Sequence, residues 1–485
     1  MNRRYSTLAL ASALLALAAC NDSDVLSMRD DALIMRQVEN ISCANGNSVS
    51  QAMLGRFLKA KGLAGKTKSV VPLVREGDTL AYSVALQKGW MLVSADARVS
   101  PMLMFADNGE LNMLDTESPT TQNVLGLLDW LQEIRHKDIA TQDYTWGFFA
   151  TPKSQNSSKK SVVKRRSAYG QGMWIPIDTT YVTETEEIPH IIKSDWDQDF
   201  PYNTYTPYAK NSKGVWNQTP LGCAPVACGQ IVAHYRTKNS KGITIPMLAR
   251  IPTYEDPTFE TYNFSESAWS EIYEDEIIND VRNIFLRYIG SQLGTRYALS
   301  GSATKLSNVK KVLNAYKLSV KESEKYDVDI IISDLKCHSP VYISSYIYND
   351  STGKEEDGGH SYIIDGGRII DDRLVVNYVW DDEHVITEEE FNRCEQWMFD
   401  QGVYGDKEKQ VNLSGNTQTY ILMNWGYGAK YNNTFYLAKT YSIGGEDFAG
   451  SYPSVTTVYE PHWEIKNMGY TAIKVRKMLY DITDN

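Results

Sequence analysis

A single proline, Pro225, most tightly limits how the middle of this chain can fold. Proline has no backbone N–H and is accepted in a helix only within its first turn. Residues 219–222 before it have the composition of a loop, whereas Ile231 and His234 after it continue at helical spacing. The sequence therefore predicts a helix that begins at or near Cys223.

Cys223 gains reactivity from this position. The free N–H groups and the dipole of a helix N-terminus stabilise a thiolate, and Gly222 would leave room for a substrate. The alternative is a buried packing residue, since cysteine is among the most buried residue types. Cys228, in the middle of the same helix, is predicted to be such a residue. Gly229 beside it costs about 1 kcal/mol of helix stability and indicates a closely packed neighbouring helix.

His360 follows two glycines and opens an apolar strand that ends at Asp365. A histidine at a strand end beside flexible glycines can face a cleft and act as general base for a thiol. The alternative is a surface histidine in a loop. The other histidines have no comparable setting; they are His136, His190, His234, His338, His384 and His462.

Asn424 ends a predicted strand and is followed by Trp425. The Asn424 side chain could accept a hydrogen bond from a ring nitrogen of His360 and fix its tautomer, while Trp425 shields that bond from water. Two alternatives remain: residues 424–428 also have the composition of a turn, and Asn377 is a second candidate for the orienting role.

The order Cys, His, Asn is that of papain-type thiol enzymes, and three blocks of sequence resemble one bacterial branch of them, the streptopain-type cysteine peptidases. The blocks are residues 196–203 (Trp-Asp-Gln-Asp-Phe-Pro-Tyr-Asn), residues 222–230, and the pair formed by Gly359-His360 and Asn424-Trp425-Gly426. Together they span about residues 196–436. The resemblance implies a papain-like peptidase domain, with a helical half and an antiparallel β half, that acts on protein or peptide substrates.

The resemblance also implies a role for each site residue. Cys223 would be the nucleophile and His360 the base, and Gln198 would join the Cys223 N–H in an oxyanion hole. Trp425 would pack over the histidine. Because the family is often described as a Cys-His dyad, the role of Asn424 depends on the residues themselves more than on the family.

The chain departs from the family pattern in three places. Residues 223–226 read Cys-Ala-Pro-Val where Cys-Val-Ala-Thr is usual, and Trp425-Gly426-Tyr427-Gly428 replaces Trp-Gly-Trp-Gly. The connection between His360 and Asn424 carries an insertion that includes residues 388–399. These changes leave the chemistry intact and the substrate preference open, and Tyr427 is predicted to help shape the cleft.

The 485 residues suggest two or more domains. Residues 21–150 are predicted to hold a small α+β prodomain, with helices at 48–61 and 124–134 and a strand pair at 80–85 and 90–94 joined by a turn at Lys88-Gly89. Residues 91–98 and 107–109 resemble the family's inhibitory propeptide. The fold class expected for the whole chain is α+β, with the peptidase domain at residues 169–485 helical near 223–236 and 270–293 and strand-rich at 341–348, 360–365, 373–380, 419–425 and 434–438.

Residues 151–168 contain six Lys or Arg and no acidic residue. Such a segment cannot bury a core and is expected to be exposed. It is either a plain linker or an activation loop cut at Lys164, Arg165 and Arg166; both can hold.

The first 20 residues have the pattern of a secretory signal peptide: Arg3 and Arg4 precede an apolar run at 8–19 that is too short to span a bilayer. The run ends in Leu-Ala-Ala-Cys20, which resembles a bacterial lipobox. This predicts export, lipidation of Cys20 and a membrane anchor in the bacterial cell envelope. The alternative is plain secretion with an incidental cysteine.

The net charge and the cysteine content indicate which kinds of partner and cofactor the protein is not expected to bind. A net charge of −11 argues against a nucleic-acid surface, and no Cys/His cluster has metal-ligand spacing, so no cofactor is implied. Five cysteines besides Cys20 do not indicate a disulfide framework. The expected protein is therefore a lipid-anchored zymogen of a cysteine endopeptidase, inhibited by its own prodomain. The rivals are a papain-like amidase or transglutaminase, and an inactive surface-binding lipoprotein.

Overall fold

A computed structural model describes residues 48–136, 170–238, 245–250, 259–264, 269–349, 354–438 and 471–484, with gaps of at most five residues inside these ranges, together with Trp146 and Phe149. All of them belong to one unit, residues 41–485. The architecture is α+β, as the sequence predicts.

The described helices are α1 (Gln51–Ala60), α2 (Pro119–His136), α3 (Cys223–Lys238), α4 (Asp280–Leu293), α5 (Ser307–Ala315) and α6 (Val328–Lys336), with 3₁₀ turns at Ala64–Lys66 and Gln396–Phe399. The described strands are β1 (Thr67–Arg75), β2 (Asp78–Leu86), β3 (Trp90–Ser94), β4 (Met102–Ala106), β5 (Gln171–Ile188), β6 (Tyr208–Lys210), β7 (Trp216–Gln218), β8 (Ile245–Arg250), β9 (Phe259–Phe264), β10 (Leu318–Ser323), β11 (Val341–Asn349), β12 (Lys354–Glu355), β13 (Ser361–Val385), β14 (Glu408–Asn424), β15 (Thr434–Leu437) and β16 (Thr471–Asp484).

A twelve-stranded antiparallel sheet organises the described chain, in the order β1-β2-β3-β4-β15-β14-β13-β11-β16-β10, with β5 paired to β13 and β12 to β11. The central strands separate two cores. Tyr342 and Ile363 face the core that α3, α4 and α5 complete, whereas Ile343 and Tyr362 face the core that includes α2 and α6. This is the alternation that a period of two residues imposes on a strand.

The predicted elements of the N-terminal region form as expected. Helix α1 begins after Ser50, whose hydroxyl accepts a hydrogen bond of 3.2 Å from the Met53 N–H. The turn between β2 and β3 contains Gly89 at φ +72°, and a Cβ there would lie 1.8 Å from the Ala106 carbonyl oxygen. Only glycine therefore fits this turn.

The N-terminal strands join the sheet of the C-terminal region through β4 and β15, where Met104, Phe105 and Ala106 pair with Tyr436, Phe435 and Thr434. A buried ion pair adds to this joint: Lys61 Nζ lies 2.5 and 2.6 Å from the two carboxylate oxygens of Asp372. Residues before and after the basic segment 151–168 thus share one continuous sheet. The predicted domain boundaries stay predictions.

The helical half packs around α3. At Gly229 a Cβ would lie 2.5 Å from Leu286 Cδ2, so α4 approaches α3 closely. The close packing that Gly229 indicates is confirmed. Cys228 is fully buried in the same core, as predicted.

Strands β5, β13 and β14 lie side by side, with β13 in the middle, and form a three-stranded ribbon. The sequence predicts separate strands at 360–365 and 373–380, but β13 runs unbroken from Ser361 to Val385 because β5 and β14 pair with it along most of its length. Strand β5 was not predicted at all. Trp174, Val376 and Tyr378 form a small core within the ribbon.

Several predictions lie outside the described residues: the signal peptide with Cys20, and the cleavage sites Lys164, Arg165 and Arg166. Within the described part of the chain, no helix is both long and apolar enough to cross a membrane. Cys223, Cys228 and Cys337 carry free thiols.

Candidate active site

Cys223 is the first residue of α3, as Pro225 predicts. The first helical hydrogen bond runs from the Val226 N–H to the Gly222 carbonyl at 3.3 Å. Gly222 has φ +98°, and a Cβ there would lie 3.0 Å from Ser302 Cβ. The backbone turn and the closeness of Ser302 therefore both require glycine at position 222. That Gly222 leaves room for a substrate stays a prediction.

Burial and nearby donor groups have opposite effects on the Cys223 thiol. Burial raises the pKa of this thiol, while the N–H groups of Ser361 and Ala224 and the Ser361 side chain lower it by hydrogen bonding. The helix start thus supplies donors that favour a thiolate, but the loss of water around the sulfur outweighs them. A base is needed to take the proton.

His360 immediately precedes β13, and β13 contacts α3, which begins at Cys223. His360 is 8% exposed, and its Nε2 lies 2.8 Å from the Trp425 carbonyl oxygen. A carbonyl oxygen only accepts, so Nε2 carries the proton of the neutral ring. The unprotonated Nδ1 is then the nitrogen able to act as a base.

Aromatic rings hold the imidazole in place. The ring of Tyr427 is stacked on that of His360 at a centroid distance of 5.0 Å, and its hydroxyl lies 3.4 Å from Nδ1. Trp425 is fully buried with its ring centroid 6.0 Å from that of the imidazole. Its Nε1 donates to the Tyr436 hydroxyl at 3.1 Å. Trp425 therefore packs beside the histidine, and Tyr427 does more than shape a cleft.

Asn424 is buried close by but its side chain makes other contacts. Its Nδ2 donates to the Ser194 carbonyl at 2.9 Å, and its amide pairs with that of Gln230 at 3.2 Å. The bond predicted for Asn424, which orients the imidazole, is made instead by the backbone carbonyl of Trp425. The alternative residue, Asn377, lies on the ribbon and donates to Asp178.

Gln198 is tied to the loop that carries the nucleophile, because its carbonyl accepts a hydrogen bond of 2.7 Å from the Leu221 N–H. Its side chain is buried, and its Nε2 has no hydrogen-bond partner. A buried amide donor left unpaired costs about 1–3 kcal/mol. Such a donor is suited to an oxygen that becomes negative during a reaction.

Two residues near the thiol were missed by sequence reasoning. Ser361 looks like an ordinary strand residue, and Tyr342 lies on a different strand, β11. Only the pairing of β11 with β13 brings Tyr342 to the site, so no local sequence signal could have identified it. The described residues contain no group of His, Cys, Asp or Glu arranged to hold a metal ion.

A cysteine at a helix start, a histidine oriented by a backbone carbonyl and a buried amide donor without a partner form a site suited to a cysteine-type peptidase on this α+β fold. Residues 196–436 match the model of the Peptidase C10 family, and the protein is a cysteine peptidase of the streptopain type. The streptopain-type resemblance is thereby confirmed.

Among solved structures, a fragment of prointerpain A from Prevotella intermedia is similar to 86% of this chain and to 99% of its own length. The two chains share 13% sequence identity, and the TM-score is 0.43. No curated protein matches the chain.

Proposed function

We propose that this protein is the zymogen of an exported, lipid-anchored cysteine endopeptidase. The observation that carries the proposal is the contact between α3, which begins at Cys223, and β13, which follows an imidazole oriented by the Trp425 carbonyl. The enzyme would act on protein substrates through a thioester intermediate.

The mechanism follows from the assigned atoms. The Cys223 sulfur attacks a peptide carbonyl carbon while Nδ1 of His360 takes the thiol proton. The carbonyl electron pair moves to oxygen, which accepts hydrogen bonds from Gln198 Nε2 and the Cys223 N–H. The C–N bond then breaks as His360 protonates the leaving amine. Water, deprotonated by His360, attacks the thioester and releases the acid and the thiol.

The role of residues 21–150 as an inhibitory prodomain is supported by the joint between β4 and β15 and by the Lys61–Asp372 ion pair. Cleavage at Lys164, Arg165 or Arg166 would cut the connection between the two regions. Export and anchoring are supported by the apolar run at residues 8–19 and by Cys20.

The chain from Asn21 onward, compared with its Cys223→Ala variant, tests the catalytic proposal. The parent should trim itself near Arg166 and cleave a denatured protein in the presence of reductant, and Cys223→Ala should do neither. Cys228→Ala is the matched control, because it removes a buried thiol from the same helix and should keep both activities. If the parent cleaves nothing, the peptidase proposal fails.

Equal trimming of the parent and Cys223→Ala would instead refute self-processing alone. Lipid anchoring is tested separately in the full chain expressed in a bacterium that carries the lipoprotein pathway. Incorporation of labelled palmitate that is lost in Cys20→Ser supports the anchor. Incorporation that persists in Cys20→Ser, or is absent from the parent, contradicts it.

A further inference from the structure

Asp197 lies between the two groups that act on the scissile bond in the proposed mechanism. On one side it directly precedes Gln198, whose Nε2 has no hydrogen-bond partner and is the proposed oxyanion donor. On the other side it approaches Gly428, because a Cβ placed there would lie 3.4 Å from Asp197 Oδ2. The Gly428 N–H also donates to the Trp196 carbonyl at 3.2 Å, which joins the two segments.

The segment that contains Gly428 also contacts the histidine. Tyr427, the residue before Gly428, is stacked on the His360 ring, and its hydroxyl lies 3.4 Å from Nδ1. Nδ1 protonates the leaving amine in the proposed mechanism. Because Gln198 holds the carbonyl oxygen and His360 serves the amine, the part of the substrate that leaves as the amine passes between them, where Asp197 lies.

One oxygen of the Asp197 carboxylate is already held, and the other is open to a ligand. Oδ1 accepts hydrogen bonds from the N–H groups of Gln198 at 2.6 Å and Asp199 at 3.2 Å, which fix the orientation of the carboxylate. Among the residues that the structure describes, none donates to Oδ2, and no Lys or Arg pairs with this carboxylate. Gly428 has no side chain that would cover the oxygen.

A half-buried carboxylate without a partner favours a cation. Burial raises the pKa of Asp197, because the charged form loses contact with water. An ammonium or guanidinium group at hydrogen-bond distance offsets this loss, and hydrogen bonds between charged groups are stronger than those between neutral ones. The chain itself carries a matching sequence, since residues 151–168 contain six Lys or Arg and no acidic residue.

We propose that Asp197 determines specificity by binding the side chain of a Lys or Arg among the first two residues on the leaving side of the scissile bond. This inference rests on the proposed function and names its substrate class: peptide bonds followed by basic residues. Asp197 transfers no proton and forms no covalent bond. The bond cut in self-processing should accordingly have Lys164, Arg165 or Arg166 within two residues on its leaving side.

Peptides that differ in one charge test the proposal. The chain from Asn21 onward, with reductant, is given a peptide with the sequence of residues 159–170, and mass spectrometry identifies the bond that is cut. Each of the first two residues after that bond is then replaced by citrulline, which is close to arginine in shape but uncharged. The parent should show a kcat/KM about tenfold higher for the charged peptide, the preference expected from one hydrogen bond between charged groups.

Variants at position 197 assign this preference to the carboxylate. Asp197→Asn keeps the shape of the side chain and the oxygen that accepts the two N–H groups, and it should reduce the tenfold ratio to about one. Asp197→Lys should instead favour a peptide with Glu at the same position. Asp382→Asn is the matched control, because Asp382 is an exposed carboxylate near the end of β13 that is farther from His360, and it should keep the parent ratio. The ratio compares two peptides with one enzyme, so a general loss of activity in a variant cancels.

The possible outcomes separate this inference from the proposed function. A cut with no basic residue in the next two positions, a ratio near one in the parent, or a parent-like ratio in Asp197→Asn overturns the inference while the peptidase function stands. A ratio lost equally in Asp382→Asn would mean that net charge causes the preference, and it overturns the role of Asp197. If the parent hydrolyses neither peptide nor protein, the proposed function fails and this inference falls with it.

Discussion

Replacing Lys61 with methionine should loosen α1 from the ribbon. Lys61 follows the last residue of α1, and its ammonium group contacts both oxygens of Asp372 on β13. The two side chains are 9% and 2% exposed. Lys61→Met keeps the length of the side chain and removes its charge, so that the Asp372 carboxylate stays buried without its partner.

The free energy lost in Lys61→Met depends on the hydrogen bonds that the Asp372 carboxylate retains. Breaking one side of a buried ion pair costs about 3–5 kcal/mol, because the remaining charge is uncompensated. Asp372 still accepts a hydrogen bond of 2.7 Å from Thr183 Oγ1, so the lower end applies. A loss of about 3 kcal/mol corresponds to roughly a hundredfold rise in the population of the state in which α1 is detached.

Hydrogen exchange of the backbone amides of α1 measures this population. In the Cys223→Ala background, which prevents self-cleavage, these amides should exchange about a hundredfold faster in Lys61→Met than in the parent. Lys59→Met is the control, because Lys59 is an exposed lysine on the same helix. Amides of α4, remote from the ion pair, should be unaffected in both variants.

The reasoning is refuted if Lys61→Met changes α1 exchange no more than Lys59→Met does. A second variant separates the lost pair from general damage. Lys61→Met combined with Asp372→Leu removes both charges and should recover most of the protection, since an apolar pair of similar volume replaces a buried ion pair at little cost. Failure to recover would mean that packing, and not the unpaired charge, causes the change.

Three further predictions concern the active site and its surroundings. Gln198→Ala should lower kcat about a hundredfold with little change in KM, because its donor serves the transition state; steady-state kinetics on a peptide substrate measure this. Asn424→Ala should lower kcat less than tenfold in the same assay but reduce the free energy of unfolding in urea by about 1–3 kcal/mol, since its side chain satisfies a buried carbonyl and does not bond the imidazole. Hydrogen bonding to Asp365 raises the pKa of His190 above 6.5, so this bond stabilises the fold below about pH 6.5 and is lost as pH rises through the raised pKa. His190→Gln should therefore reduce the loss of stability that occurs in urea unfolding as the pH rises above 6.5, and a parent-like loss would contradict the assignment.

Local signals in the sequence were sufficient to predict those helices and strands whose ends carry a proline or a glycine. Pro225 located the start of α3, and Gly89 located the turn before β3. The ribbon was not predictable in this way. Residues 366–372 contain two glycines and two aspartates, which suggest a loop, yet pairing on both sides with β5 and β14 keeps them extended. Partners so distant in sequence override local preference.

The same contrast between local signals and distant partners applies to the residues of the candidate site. Cys223, His360 and Gln198 were identified because their neighbours in sequence carry the signal. Asn424 was given a bond that belongs to the backbone of Trp425, the next residue. A side-chain type can be read from the sequence, but a backbone carbonyl is present at every position, and only the fold selects the one that faces the imidazole.

Strand β15 is short, yet two separate requirements meet at Tyr436. Its backbone pairs with Met104 of the N-terminal region, and its hydroxyl accepts a hydrogen bond from the Trp425 indole. The backbone carbonyl of Trp425 in turn accepts a hydrogen bond from His360. A displacement of β15 therefore affects the joint with the N-terminal strands and the support of the Trp425 indole together. One short strand in this way links the N-terminal region to the surroundings of the histidine.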